Sequence, residues 1–146
     1  MGKTKMDSHL VKSGDQPEKD EALRAAIESL DCGDNCTRCE GIEQLRPHGE
    51  EFIRVRIRAM LLDPWEVVRI EAIEYLEAWN DKDSIPLLLQ CLRDEDDVVR
   101  RYAACALGNL GAREILPLAE KAFAWKGCTD NDRLGYNYAL LRLGDR

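Results

Sequence analysis

From Asp83 to Gly111 the chain spells two amphipathic stripes in succession. Ile85, Leu88, Leu89 and Leu92 recur at helical spacing, and an acidic break follows at Asp94–Asp97. Val99, Ala103, Ala106, Leu107 and Leu110 then form a second stripe, closed by Gly111 as a helix stop. Neither stripe can bury itself, so a unit of this kind needs copies of itself on either side. A shift of 31 residues supplies one: Asp63 falls on Asp94, Val67-Val68-Arg69 on Val98-Val99-Arg100, Ala72 on Ala103, and Leu76 on Leu107. With two extra residues a third copy follows, in which Leu143-Gly144 answers Leu110-Gly111.

The first copy has a marked helix start at Asp63-Pro64-Trp65-Glu66, read as Asp at the N-cap, Pro at the first position and Glu at the third. Phe52 to Arg58 alternates apolar and charged residues as a strand would. Ile53, Ile57, Met60 and Leu61 fit a helix equally well, and the segment fills the first-helix slot of a repeat. Upstream, Leu23, Ala26, Ile27 and Leu30 line one face of a helix beginning near Glu18 and ending at the turn formers Gly33, Asp34 and Asn35. Residues 31–49 then read as an irregular loop. The pattern therefore predicts a disordered leader over 1–17, a capping helix plus cysteine loop over 18–49, and three repeats over 50–146. The repeats span 50–80, 83–111 and 113–144, giving about seven helices in antiparallel pairs.

Within a copy, a Pro in the first helix is followed by Asp and then by Val-Arg, here Pro86, Asp94, Val99 and Arg100. This spacing, with the phrases DPWEVVRIEAIEYL and VVRRYAACALGNLG, resembles HEAT repeats, specifically the short type of the phycobilisome lyases. Val55 stands where the first copy should carry Pro, and the third copy has Trp125 at the Asp position and Asp132 at the Val position. The resemblance implies an all-α fold, a short right-handed α-solenoid of the HEAT/armadillo kind. It also implies that Asp63 and Asp94 sit in the turns between paired helices, with Arg69 and Arg100 reaching those turns or the next ones as a structural ladder. The guanidinium suits that work, offering five donors in a fixed fork to carboxylates and turn carbonyls. A bilin lyase-like handling of chromophores would follow from the family name alone.

Charge and composition narrow the function classes. A net charge of −7 disfavours binding to nucleic acid or an anionic membrane. No apolar run has the length of a membrane span and the polar start lacks a signal-peptide core, so the chain reads as cytoplasmic. Its six cysteines then read as thiols or ligands rather than disulfides. Cys32, Cys36 and Cys39, with His48, have residue types suited to a tetrahedral zinc site, and the spacing also resembles the iron–sulfur loop of radical-SAM enzymes. Those enzymes need a barrel of strands and helices, which this pattern does not supply. A Cys36–Cys39 redox pair is the other chemical reading. Cys91 replaces Met60 under the shift and reads as core, whereas Cys105, at the position of Glu74, reads as partly exposed.

No phosphate loop, nucleophile elbow, zincin motif or dinucleotide fingerprint occurs, and only His9 and His48 are available for histidine chemistry. The chain therefore reads as non-enzymatic, a module that binds another protein while itself a monomer or weak homo-oligomer. The second helices carry most of the aromatic residues, and that face is the expected contact surface. Tyr75 and Trp79 match Ala106 and Leu110 and read as core. Tyr102 and Arg101 lie off the stripe, and with Glu71 and Glu74 they are the candidate partner contacts. A metal- or thiol-based sensor is the alternative function. Arg54, Arg56 and Arg58 read as solvated, with Glu50 in reach of Arg54 on a helix.

Overall fold

A computed structural model describes residues 16–144 of the chain. The leader expected over 1–17 lies outside the described residues, save that Gln16 and Pro17 already belong to the first helix. Among the described residues there are no strands, and eight α-helices run in four consecutive pairs. These are α1 (Gln16–Ser29) with α2 (Asn35–Leu45), α3 (Glu51–Met60) with α4 (Glu66–Ala78), α5 (Ile85–Cys91) with α6 (Asp97–Asn109), and α7 (Leu116–Ala124) with α8 (Asp130–Leu143). Short 3-10 turns at Lys82–Ser84 and Arg113–Ile115 lead into α5 and α7. Proline at the start of each of those helices suits a position whose N–H has no intrahelical acceptor.

The eighth helix is α2, formed where an irregular cysteine loop was expected. Asp34 caps it, accepting the Thr37 N–H at 2.8 Å, and Ile42 and Leu45 enter the core. Its glycine packs rather than turns. A Cβ on Gly41 would lie 3.0 Å from the Ala26 carbonyl, so the missing side chain is what lets α2 approach α1. The glycine and cysteine content of this segment thus serves close helix packing, and composition misreads it as a loop.

The second helices form a continuous row, α2 on α4, α4 on α6 and α6 on α8, each also packed on its own first helix. Val68, Ala72, Ile73 and Leu76 on α4, and Val99, Ala103, Ala106 and Leu107 on α6, are fully buried between neighbours. Each residue of this kind removes a side chain from water, worth roughly 1.5–3 kcal/mol for the larger ones. That is how copies stabilise one another where a lone hairpin would not hold. The repeat ends also correspond: Asn80 and Gly111 stand in equivalent places, and Gly144 in the third, with φ of 50°, 76° and 76°.

Tyr75 is buried as expected, its hydroxyl donating to the His48 carbonyl, and burial pushes its phenol up to about 12. Trp79 differs. It remains 39% exposed, lies over Gly49, and donates its indole N–H to the Arg46 carbonyl at 3.0 Å. At the end of α4 the helix stripe has run past the core, so the ring covers the connection from α2 to α3 instead.

The α4 start is also shifted. Trp65, not Asp63, occupies the N-cap, and the Asp63 carboxylate accepts the Trp65 N–H at 2.9 Å in the turn before it. Asp94 does the same for the Asp96 N–H, and Asp96 then caps α6. The three arginines of α3 fold back onto acids: Arg58 grips buried Asp81 through Nε (2.7 Å) and Nη2 (2.6 Å), Arg54 pairs with Glu51 rather than Glu50, and Arg56 pairs with Asp31. Asp81 thereby ties α3 to the connection leading into α5. No described helix is long and apolar enough to cross a membrane.

Candidate functional site

Two features use the charged residues of the second helices, one inside the fold and one on its surface. The internal feature is a ladder with a constant grammar. Arg38, Arg69 and Arg100 each donate Nη1 to the carbonyl six residues back, at Cys32 (2.7 Å), Asp63 (2.8 Å) and Asp94 (2.7 Å). The other guanidinium nitrogens reach forward to a carboxylate of the next repeat. Arg38 meets Asp63 in a fork at 2.8 and 2.9 Å, and Arg69 meets Asp94 through one bond at 2.8 Å. Arg100 meets Asp132 in a fork at 2.7 and 3.0 Å. The Arg69 Nε is buried without a partner, so the middle rung is the weakest.

Two sequence departures now have physical reasons. Cys32 occupies the place of Asp63 and Asp94, and there Arg38 uses only the backbone carbonyl, which any residue type supplies. Trp125 occupies the Asp position of the last pair. The Arg100 guanidinium lies 5.8 Å from its ring centroid, while the carboxylate comes from Asp132 on α8. Asp132 also completes a capping box with Thr129.

Three carboxyls at the starts of second helices, one of them on the ladder, are held low. Burial pushes the Asp132 carboxyl up, but the Arg100 bonds and the Thr129 N–H outweigh it and hold it below the usual carboxylate range. Asp34 is lowered by the Thr37 N–H, and Asp97 by the Asn131 side chain. A carboxyl whose folded value lies below its unfolded value stabilises the fold when ionised. That stability is complete above the unfolded range, about pH 4, and is lost as pH falls through the lower folded values. Urea midpoints are therefore expected to hold from about pH 7 to about pH 5 and fall below about pH 4. In Asp132→Asn the same titration should show a lower plateau and a shallower acid fall.

The surface feature is a groove of about 530 Å³ running along the row of second helices. Its α4 wall carries Glu74, Glu77 and Ala78, and its α6 wall carries Arg101, Tyr102, Cys105 and Asn109. Successive turns of each helix present these residues at intervals of three or four, opposite to the buried stripe. Arg46, which ends α2, bridges to Glu71 at 2.7 Å and Glu74 at 3.4 Å and also pairs with Glu43. Asn109 is the hub of the far end: its amide donates to Glu77 at 2.5 Å, while its carbonyl accepts from Tyr138 at 3.0 Å and Arg142 at 2.8 Å. Asn109 thus links the two walls, and Arg46 fixes the α4 wall to α2, before anything binds.

Of the four candidate contacts, Glu74, Arg101 and Tyr102 line this one groove. Glu71 lies beside it, in a shallow hollow with Cys39, Glu40 and Glu43. Cys105 is half-buried in the groove wall and Cys91 is buried. Burial pushes the Cys91 thiol up to about 11 and raises those of Cys105 and Cys39 as well. None of these three is an activated nucleophile.

Cys32, Cys36, Cys39 and His48 are not brought together. Among the described residues, no three of them place ligand atoms within 4.8 Å of one another. The reason is α2 itself: Cys36 sits in its first turn and His48 beyond its end, roughly 15–18 Å apart at 1.5 Å per residue. His48 instead lies 3.7 Å from Glu50, and the Cys32 carbonyl is held by Arg38. The acidic group that does converge, Glu51, Asp81 and Asp83, is the one bound by Arg54 and Arg58.

Arg38, Arg46, Asn109 and Asp132 are the groove and ladder residues the sequence reading passed over. A signal existed for the first. Extending the 31-residue shift upstream lays Arg38 under Arg69 and Leu45 under Leu76, a match masked by Cys32 standing for Asp.

Comparison with known proteins agrees with this geometry. No curated protein matches the chain. A family model described as HEAT repeats matches residues 53–126, which spans α3 to α7 and rests on HEAT repeats as a class rather than on the phycobilisome-lyase type. Paired helices in register, a ladder that recurs with the repeat and a match over half its length together make this chain a member of the HEAT-repeat family.

Proposed function

We propose that the protein is a non-enzymatic binding module that holds a protein partner in the groove between α4 and α6. HEAT repeats generally mediate protein–protein interaction, and a stacked row of helices presents an extended rigid surface suited to it. The observation that carries the reading is the groove itself. It combines aromatic and charged side chains with walls already linked by Asn109 and an α4 wall braced from α2 by Arg46. A surface ordered in advance loses less freedom on binding, so more of its contact energy appears as affinity. Tyr102 and Arg101, stacked at 5.2 Å, are the residue types that most often anchor such contacts.

A photo-crosslinking residue at position 102 should trap a specific protein that the same residue at Lys82, which is exposed and does not line the groove, does not. The trapped protein, once purified, should bind the wild-type chain. Its affinity should fall about tenfold or more for Arg101→Glu with Tyr102→Ala, a loss typical of hot-spot residues. Equal trapping at both positions, or unchanged affinity for the double variant, would remove the groove from the binding function.

A further inference from the structure

The charges in the groove are not all spent on one another. Arg46 is saturated by Glu43, Glu71 and Glu74. Glu77 and Arg101, on facing walls, have no oppositely charged group within 4.0 Å among the described residues. Each is held only by a neutral amide, Glu77 by Asn109 at 2.5 Å and Arg101 by Asn131 at 3.1 Å. Between them lies Cys105, whose thiol is raised by burial, raised further by Glu77, and drawn back by Arg101. The two charges therefore flank one spot in the groove without closing onto each other. Asn109 holds Glu77 from a point eight residues along α6 from Arg101, while Asn131 and the Tyr102 ring hold the guanidinium in place.

A half-buried carboxylate and a half-buried guanidinium, fixed apart by amides, form a bipolar receptor. Each forgoes part of its hydration and gains only a neutral partner, a shortfall that an opposite charge from outside would correct. A wholly acidic ligand would oppose Glu77, and a wholly basic one would oppose Arg101. The apolar lining of the two walls, Tyr102 with Cys105 and Ala78, can take a ring or an aliphatic chain.

Resting on the groove reading above, we propose that the recognised element is a peptide segment of mixed charge. A basic side chain pairs with Glu77, an acidic side chain pairs with Arg101, and an apolar or aromatic residue between them lies over Tyr102 and Cys105. The partner is thereby a protein carrying such a segment on an exposed strand or loop, not an anionic polymer and not a polybasic tail.

Four capped peptides test this directly by NMR titration of the backbone amides. They are Lys-Ala-Tyr-Ala-Glu and its versions with Gln replacing the Lys, the Glu or both. The mixed-charge peptide should shift the amides around Arg101, Cys105 and Asn109. Each neutralised end should weaken binding about three- to fivefold, the scale of a partly exposed ion pair. In Arg101→Gln the advantage of the peptide Glu should vanish while that of the Lys remains, and Glu77→Gln should do the reverse. Four peptides of equal affinity for the groove would overturn the charge reading while leaving the groove as a peptide site. Shifts confined to other surfaces, or none with any peptide, would overturn it too, and the crosslinking result would then decide separately whether the groove binds a protein.

Discussion

Arg38→Ala is expected to destabilise the protein by about 3–5 kcal/mol, the range for breaking a buried ion pair from one side. Arg38 and Asp63 are 7% and 8% exposed, and the guanidinium makes three bonds, two to the carboxylate and one to the Cys32 carbonyl. Truncation leaves Asp63 buried with a single remaining donor, the Trp65 N–H, and leaves the carbonyl orphaned. The cost lies in the charge left behind rather than in the worth of the pair. Three further variants separate these. Asp63→Asn in an Arg38→Met background keeps the Trp65 cap and removes the stranded charge, so it should be milder than Arg38→Met alone. Arg69→Ala, which breaks a rung with one carboxylate bond and an idle Nε, should cost less than Arg38→Ala. Urea unfolding gives all four values. A loss of under about 1 kcal/mol for Arg38→Ala would class the rung with exposed ion pairs, which contribute little.

The contrast between what was legible and what was not follows the same logic. The repeat was legible from Val99, Ala103 and Leu107 because apolar spacing is imposed by burial, and burial acts on every copy alike. Asp63, Arg69, Asp94 and Arg100 were legible as a ladder because their function also repeats. Arg38 and Asp132 were not: at Cys32 only the backbone carbonyl is used, which any residue type supplies, and Arg100 draws its carboxylate from a different helix. The segment around Cys36 misled because glycine and cysteine have two uses. Gly41 reads as a turn former by composition, yet its role is to let two helices touch. The groove was half legible. Arg101 and Tyr102 stood out by lying off the stripe, whereas Arg46 and Asn109 belong to it only through partners about 25 to 33 positions away, which no local pattern encodes.

Gly108→Leu is expected to be the most damaging single change at the last junction, at about 3 kcal/mol or more. The contact between α6 and α8 is the most extensive in the fold. A Cβ on Gly108 would lie 2.7 Å from the Ala139 Cα, and one on Gly135 would lie 3.0 Å from the Arg101 carbonyl and Cα. Backbone, not a movable side chain, blocks both positions. Overpacking a tight core costs about 1–3 kcal/mol for added methylenes, and here the helices must separate to admit a whole side chain. Gly108→Ala sets a milder point on the same scale. Its gain in helix propensity, about 1 kcal/mol, offsets part of the clash, so the net loss should be smaller than for Leu. Gly33→Ala serves as the control, because nothing lies within 4 Å of a Cβ there. Since each repeat touches mainly its neighbours, the damage should be local: hydrogen exchange should show α7 and α8 losing protection while α1 to α4 keep theirs. Uniform loss along the whole chain would mean that the array unfolds as one unit, and an undisturbed α8 would mean that α6 and α8 are not in close contact.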